Sequence, residues 1–245
     1  MRAIVYTVFG ILFLTTAVHC KSGLSSDKIS VLVVTGGHSY DTAEFVAMFS
    51  QMDGMETELV LKPDAWQLLD RGRQFDVIVF YDMWQAISEE EKLTFLNEFE
   101  SGTGMVFLHH SLVSHQEWKD YTLLVGGRYV QPGSTLDSTQ FSDYRHDIDL
   151  QVHITDPNHP VTRGVGDFEI HDEGYSNTLQ LPGVHNLLET VHPDCDRYIG
   201  WSHEVKNSRV VYLMGGHDKY AFENESFIRL LENAIRWTGI TQGYK

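Results

Sequence analysis

The chain has 245 residues, a length that suits one large α/β domain or two smaller ones. Its formal net charge is −16, from 18 basic and 34 acidic residues, and 42% of its residues are hydrophobic. These values are typical of a globular protein and argue against disorder. They also argue against nucleic-acid binding and against adsorption to anionic membranes, because both depend on basic residues that neutralise phosphate.

The first twenty residues predict an export signal. Arg2 precedes an uncharged apolar run at residues 3–18, which is nearer to a signal-peptide core than to a membrane span of about 20 residues. We therefore expect a signal peptide at 1–20, a linker at 21–28, and an exported domain at 29–240 in the periplasm, the envelope or the medium. An uncleaved anchor is the alternative. Cys20 also suggests lipidation, although His19 is bulky where such a signal has a small residue. Membrane contact is expected only through this terminus.

Apolar segments alternate with amphipathic ones through the first half of the chain. The capping-box pair Ser88 and Glu91 marks a helix start, and Gly102 marks its end. Strands are predicted at residues 29–34, 56–61, 75–81 and 105–108, and helices at 41–52, around Trp66, and from 88 to 102. This alternation predicts a parallel, doubly wound α/β sheet.

The second half of the chain is less regular. Polar and apolar residues alternate at 148–154, as they do in a half-exposed strand. Further strands are predicted at 167–170, 185–191 and 209–214, and a last amphipathic helix at 224–238.

Histidines follow three of the predicted strands. His38 comes after the first strand, His109 and His110 after the fourth, and His217 after the strand at 209–214. Open parallel sheets bind ligands beyond the carboxyl ends of their strands, and histidine transfers protons near neutral pH or binds metals. We therefore predict that these histidines share one edge of the sheet. Any one of them alone is more often a loop or core histidine.

A second group of polar side chains lies in the middle of the chain. His171, Glu173 and Tyr175 alternate, so an extended segment places them on one face. They form either an acid–base or sugar-binding row or a solvated strand face. The aromatic residues Tyr40 and Trp84 follow the first and third strands and suit the apolar faces of sugar rings, with ordinary packing as the alternative.

No residue stands out as a nucleophile. Cys195 lies between two aspartates, which disfavours its thiolate. Ser111 follows the fourth strand, but it lacks the flanking glycines of a sharp nucleophile turn. A serine hydrolase is therefore the weaker alternative. The glycine pairs of the chain match neither the Gly-x-Gly-x-x-Gly dinucleotide-binding pattern nor the phosphate-binding loop, so nucleotide binding is not expected.

These motifs, in this order, resemble the ThuA-like (trehalose utilisation) family. The matching segments cover nearly all of the chain after residue 28: residues 31–38, 75–80, 104–109, 118–121, 126–127, 159–160, 172–175, 209–212, 216–217 and 234–237. The resemblance implies a flavodoxin-like, class I glutamine-amidotransferase-like fold with three layers and a mostly parallel sheet. It also implies a role in the use of trehalose-like disaccharides or their keto derivatives.

The chain departs from the amidotransferase pattern at the catalytic positions. That wider fold has a cysteine after a central strand and a His-x-Glu after a late one. Here His109 and His110 occupy the region of the cysteine, and Lys219 stands where the glutamate would follow His217. Glutaminase activity is therefore not expected.

We predict a carbohydrate-processing enzyme, a hydrolase, lyase or isomerase. His109, Glu173 and His217 are its predicted acid–base or metal-binding groups. The predicted substrate-binding residues are His38, Tyr40, Trp84, His110 and Tyr175. A divalent metal such as zinc suits these ligand types, although no compact spacing specifies one. The alternative function is a non-catalytic sugar-binding module of the cell envelope, and homo-oligomerisation stays open.

Overall fold

The computed structural model describes residues 28–132, 134 and 140–240. The predicted signal peptide, Cys20 and the linker up to residue 27 lie outside the described residues. Within the described part, no helix has both the length and the hydropathy needed to cross a bilayer.

The described residues form α-helices and strands that alternate in the first half of the chain. The strands are β1 Ile29–Gly36, β2 Met55–Leu61, β3 Val77–Asp82, β4 Gly104–Leu108, β5 Gly127–Arg128, β6 Asp143–Ile154, β7 Phe168–Ser176, β8 Leu179–Gln180, β9 His185–Glu189, β10 Tyr198–Val205 and β11 Ser208–Leu213. The helices are α1 Thr42–Ser50, α2 Asp64–Asp70, α3 Glu89–Ser101, α4 Tyr121–Val125, α5 Lys219–Phe222 and α6 Glu225–Gly239, with a 3₁₀ helix at His109–Val113.

Nine strands form one mixed sheet in the order β2-β1-β3-β4-β11-β10-β9-β6-β7. The pairs from β2 to β11 are parallel, and their order is that of a flavodoxin-like sheet. This half confirms the predicted doubly wound fold. The pairs from β11 to β7 are antiparallel. Strands were predicted near β6, β7 and β9, but their antiparallel pairing and the strand β10 were not.

Helices cover both faces of the parallel half. Successive side chains of a strand point to opposite faces, and β3 shows this at two adjacent residues. Phe80 packs against Phe95 of α3, with ring centroids 5.0 Å apart. Tyr81 stacks on Phe45 of α1 on the other face, at 4.6 Å. The result is three layers, in which β3 and β4 are buried along their whole length.

A capping box begins α3. Ser88 Oγ accepts a hydrogen bond from the Glu91 N–H at 3.2 Å, and the Glu91 carboxylate accepts from the Ser88 N–H at 2.7 Å. Ser88→Ala is expected to lower the free energy of unfolding by about 1 kcal/mol, because the N-terminal N–H loses its acceptor. Urea denaturation measures this change. Ser50→Ala, at an exposed serine that caps no helix N-terminus, is the control, and equal losses in both variants would refute the assignment.

The hairpin of β6 and β7 contacts the loop that follows β11. Asp172 of β7 accepts hydrogen bonds from the backbone N–H groups of Gly216 and His217, at 2.8 and 2.9 Å. Both hairpin strands begin or end several residues beyond the predicted segments at 148–154 and 167–170. This contact carries Glu173, the next residue of β7, to the carboxyl ends of the parallel strands.

Candidate functional site

A strained turn at the end of β4 carries His109. Its φ of 42° lies in the left-handed region, which residues other than glycine rarely adopt. The Met214 carbonyl can only accept a hydrogen bond, so its contact with Nδ1 places the imidazole proton there. The Nε2 atom is thereby directed at the site. In α/β-hydrolases a comparable strand-to-helix turn presents the nucleophile, whereas here it presents an imidazole.

His109, Glu173 and His217 lie in one cluster. Nε2 of His109 is 2.8 Å from Oε2 of Glu173, 3.3 Å from Nδ1 of His217 and 3.1 Å from the hydroxyl of Tyr175. Oε2 of Glu173 is also 3.3 Å from Nδ1 of His217. The structure therefore brings these predicted residues together, and Tyr175 joins them. The chemical roles of these residues stay predictions.

Three more histidines surround this cluster. Nε2 of His110 lies 4.0 Å from Oε2 of Glu173, and the ring of His38 packs 4.2 Å from the ring of His110. Nδ1 of His146 lies 3.2 Å from the other carboxylate oxygen of Glu173. His146 was not predicted. It enters through a bulge in β6, where the register shifts between Arg145 and Ile148.

Asp172 fixes the backbone around the cluster. Its buried carboxylate accepts three backbone N–H groups, those of Glu173, Gly216 and His217, at 2.8 to 2.9 Å. The Gly216 carbonyl in turn accepts a hydrogen bond from the Tyr81 hydroxyl at 2.8 Å. One carboxylate thus sets the position of both Glu173 and His217.

The pKa values of residues in and beside the cluster are shifted in different directions. Burial raises the pKa of Glu173, but hydrogen bonds with His109 and His217 outweigh it and hold this pKa far below its ordinary value. Burial lowers the pKa of His217, yet the contact with Glu173 outweighs burial and the net pKa is raised. Burial, and then the neighbouring histidines, lower the pKa of His110 well below its ordinary value. An ionised carboxylate therefore lies beside a readily protonated histidine and a neutral one.

Glu173, Tyr175 and His217 of the cluster line a cavity of about 290 Å³, whereas His109 is fully buried and is not among the lining residues. This volume is at the lower end of small-molecule sites, about 300–1,000 Å³. The lining residues are His38, Ser39, Met83, Trp84, His110, Val113, Tyr129, Gln131, Tyr144, His146, Glu173, Tyr175 and His217. A neighbouring cavity of about 540 Å³ shares Trp84 and Gln131 with it. Trp84, which is 59% exposed, therefore borders both.

A family profile described as "ThuA: Trehalose utilisation" matches residues 30–238. The chain belongs to the ThuA family. The match spans most of the predicted domain at 29–240 and confirms the family that the sequence motifs indicated. A relation to trehalose utilisation follows from membership of the ThuA family.

Solved structures agree with the ThuA fold. A putative ThuA-like protein from Parabacteroides merdae superposes with a TM-score of 0.72 at 15% identity, over 89% of this chain and 92% of that one. A putative ThuA-like protein from Bacteroides uniformis gives 0.66 at 20% identity, over 86% and 91%. PurLQS from Thermotoga maritima gives 0.55 at 14% identity, over 86% and 99%. At these identities the likeness shows the fold alone, which is class I glutamine-amidotransferase-like. No curated protein matches this ThuA chain significantly.

Tyr40 and His171 lie away from the cavity lining of the ThuA domain, as does the buried His109. Tyr40 packs edge-on against Tyr81 and Phe45, so it supports the ring of His38, 5.5 Å away, instead of facing the cavity. His171 does not join the row predicted with Glu173 and Tyr175. Its Nδ1 hydrogen-bonds the Asp149 carboxylate at 2.7 Å, because it lies about 7 Å earlier along β7 than Glu173.

Neither potential nucleophile of this ThuA protein is activated. The Ser111 hydroxyl is fully buried and has no hydrogen-bond partner among the described residues, which counts against the serine-hydrolase alternative. Burial, together with the charge of Asp196, raises the pKa of the Cys195 thiol to about 12. At neutral pH this cysteine is a protonated thiol and a weak nucleophile.

Proposed function

We propose that this protein is an enzyme that acts on trehalose-like disaccharides or their keto derivatives. One observation carries the proposal: Nε2 of His109 lies within hydrogen-bond distance of Glu173 and Tyr175 and 3.3 Å from His217, beside a cavity that other histidines also line. Carboxylate, imidazole and phenol side chains in contact are the groups that enzymes use to move protons.

A keto-sugar offers a reaction that suits such groups. A carbon next to a ketone loses its proton to a base, and the electron pair moves to the ketone oxygen to give an enolate. Transfer of a proton from the adjacent hydroxyl to the enolate oxygen, with return of the abstracted proton to the former ketone carbon, gives an isomer whose ketone has moved by one carbon. Loss of a β-glycosidic oxygen instead gives an elimination, in which an acid protonates the leaving alcohol. We assign the base and acid roles to Glu173, His109 and His217. The Tyr175 hydroxyl is suited to donate to the developing oxyanion.

The shape of the site favours a substrate with two rings. The cavity at the cluster is small, whereas the larger neighbouring cavity adjoins it at Trp84 and Gln131. We place the reacting sugar beside Glu173 and the second ring along Trp84, whose aromatic face suits the C–H face of a sugar. His38 and His110 line the inner cavity and are suited to bond the hydroxyls of the first ring.

Solvent deuterium exchange tests this function. Incubation of 3-keto-glycosides with the enzyme in D₂O is expected to give deuterium beside the ketone, detected by NMR, together with a new product on chromatography. His217→Ala is expected to lower the rate of exchange or turnover by about 100-fold or more, whereas His171→Ala, on the same strand as Glu173 but outside the cluster, is the matched control. Unchanged turnover in His217→Ala would remove His217 from the mechanism.

A non-catalytic sugar-binding module is the second candidate, and the exposed Trp84 at the rim favours it. This function predicts saturable binding in calorimetry without exchange or product. Affinity would then fall in Trp84→Ala and persist in His217→Ala. Loss of turnover with retained binding in His217→Ala supports the enzyme instead.

We also propose that the protein is exported. The apolar run at residues 3–18 is proposed to direct the protein out of the cytoplasm, where a small carbohydrate is its partner and nucleic acid is not. Fractionation of cells that express the full chain, with N-terminal sequencing of the mature protein, separates a cleaved signal from an anchor or a lipidated Cys20.

A further inference from the structure

Three imidazoles and one carboxylate direct their donor atoms at one small volume. One ligand atom from each of His109, His110, Glu173 and His217 lies within 4.8 Å of all the others. The first three residues are buried, and His217 is partly exposed on the cavity side. Within the described residues, the group is therefore mostly enclosed by protein, and three of its members line the cavity.

The distances between these atoms are close to those of a tetrahedral metal site. Ligands about 2.0–2.2 Å from zinc are about 3.3–3.6 Å from one another. The separations of His217 Nδ1 from His109 Nε2 and from Glu173 Oε2 are both 3.3 Å. Those from Glu173 Oε2 to His109 Nε2 and to His110 Nε2 are 2.8 and 4.0 Å. Shifts of less than about 1 Å bring these last two to the tetrahedral length.

The surroundings hold these side chains as metal ligands are held. A metal-binding histidine usually donates its other ring N–H to a carbonyl or a carboxylate, and His109 donates its Nδ1–H to the Met214 carbonyl. Asp172 accepts the backbone N–H groups of both Glu173 and His217. His146 contacts Oε1 of Glu173, which leaves Oε2 directed at the centre.

The contact between His109 and Glu173 needs a positive charge between its two atoms. If His109 carries only the proton on Nδ1, its bare Nε2 and Oε2 of Glu173 face each other with lone pairs at 2.8 Å, and the hydrogen bond described above requires a second proton on His109. Nδ1 of His110 is buried and has no hydrogen-bond partner within the described part of the chain. A divalent cation between His109 Nε2 and Glu173 Oε2 would replace this contact with two metal–ligand bonds. An extra proton on His109 is the alternative, and the experiment below separates the two.

We propose that His109, His110, Glu173 and His217 bind one divalent first-row transition-metal ion, with zinc as the best fit. Imidazole ligands suit zinc and its neighbours, whereas calcium and magnesium prefer oxygen ligands. A bound ion there would supply a Lewis acid beside the substrate cavity, in place of the acid and base roles assigned above to the side chains that become its ligands. That role in turnover rests on the proposed function, but binding of the ion does not.

Metal binding is measured without any sugar. The full chain, freed of any affinity tag and stripped with a chelator, is titrated with Zn²⁺ against a chromophoric competitor, and the bound metal is counted by mass spectrometry. We expect about one tightly bound ion per chain. His110→Ala and Glu173→Gln are expected to weaken it by about 100-fold or more. His171→Ala and His185→Ala, at a partly exposed and an exposed histidine that each pair with an aspartate, serve as matched controls and are expected to bind the metal as the unmodified protein does.

A cobalt titration tests the site without any variant. Co²⁺ bound to three imidazoles and one carboxylate gives visible absorption bands of a four-coordinate ion, and their growth is expected to saturate at about one equivalent. Uptake of less than about 0.1 equivalent, or equal affinity in the ligand and control variants, would overturn the proposal in favour of a protonated His109. Tight metal binding without deuterium exchange in any keto-sugar would support the proposed metal site and contradict the proposed enzymatic function.

Discussion

Glu173→Gln is expected to lower the turnover of 3-keto-glycosides by about 10²–10⁴-fold. Glutamine has the size of glutamate but no charge, and Oε2 of Glu173 is the atom that His109 and His217 both contact, at 2.8 and 3.3 Å. The loss is expected in kcat more than in KM, because Glu173 contacts the histidine cluster and the sugar rings are placed mainly along other residues. Steady-state kinetics over a range of substrate concentrations measures both constants.

The same strand offers a matched control for this variant. Glu169 lies four residues earlier in β7 and is exposed, so Glu169→Gln makes the same chemical change away from the cavity. Turnover is expected to be unchanged in Glu169→Gln. Equal turnover in the two glutamine variants would show that the charge of Glu173 has no part in the reaction.

Much of the site follows from rules that need only the sequence. His109 comes directly after β4, and His38 and His217 follow β1 and β11 within four residues. Parallel strands place their carboxyl ends at one edge of the sheet. The start of α3 was equally readable, because Ser88 and Glu91 bond each other locally. The capping box depends on local contacts alone, and the structure confirms it.

The antiparallel half of the sheet was harder to predict from the sequence, because the extent and register of its strands depend on the strands with which they pair. Residues 143–147 of β6 are polar and exposed, so no alternating pattern marked them as strand. The bulge there places Asp147 at a φ of 54° and directs His146 towards Glu173. A register shift of this kind is fixed by the pairing with β7, and the sequence of β6 alone carries no signal for it.

The predicted row of His171, Glu173 and Tyr175 shows that strand periodicity alone does not predict which side chains of one face meet in a site. Alternation fixes the face on which a side chain lies, but it does not fix which part of that face a neighbouring element covers. Glu173 and Tyr175 lie opposite the turn at His109, whereas His171 lies beyond it and pairs with Asp149. Asp172, on the other face, was read only as part of a family motif, although it organises the loop that carries His217.

Asp172→Ala is expected to lower the free energy of unfolding by about 3–5 kcal/mol. Its carboxylate accepts the backbone N–H groups of Glu173, Gly216 and His217, and loss of this buried charged acceptor leaves those donors unpaired. Asp172→Asn keeps part of this bonding and is expected to lose about 1–3 kcal/mol. Urea denaturation with a common slope measures both changes.

The exposed Asp149 provides the comparison, because its carboxylate bonds only a partly exposed histidine among the described residues. Asp149→Ala is expected to change the free energy of unfolding by less than about 1 kcal/mol. If Asp172→Ala and Asp149→Ala unfold at the same urea concentration, the three backbone bonds do not stabilise the loop. If Asp172→Asn stays folded but loses turnover, its carboxylate acts by positioning Glu173 and His217, because no atom of Asp172 lines the cavity.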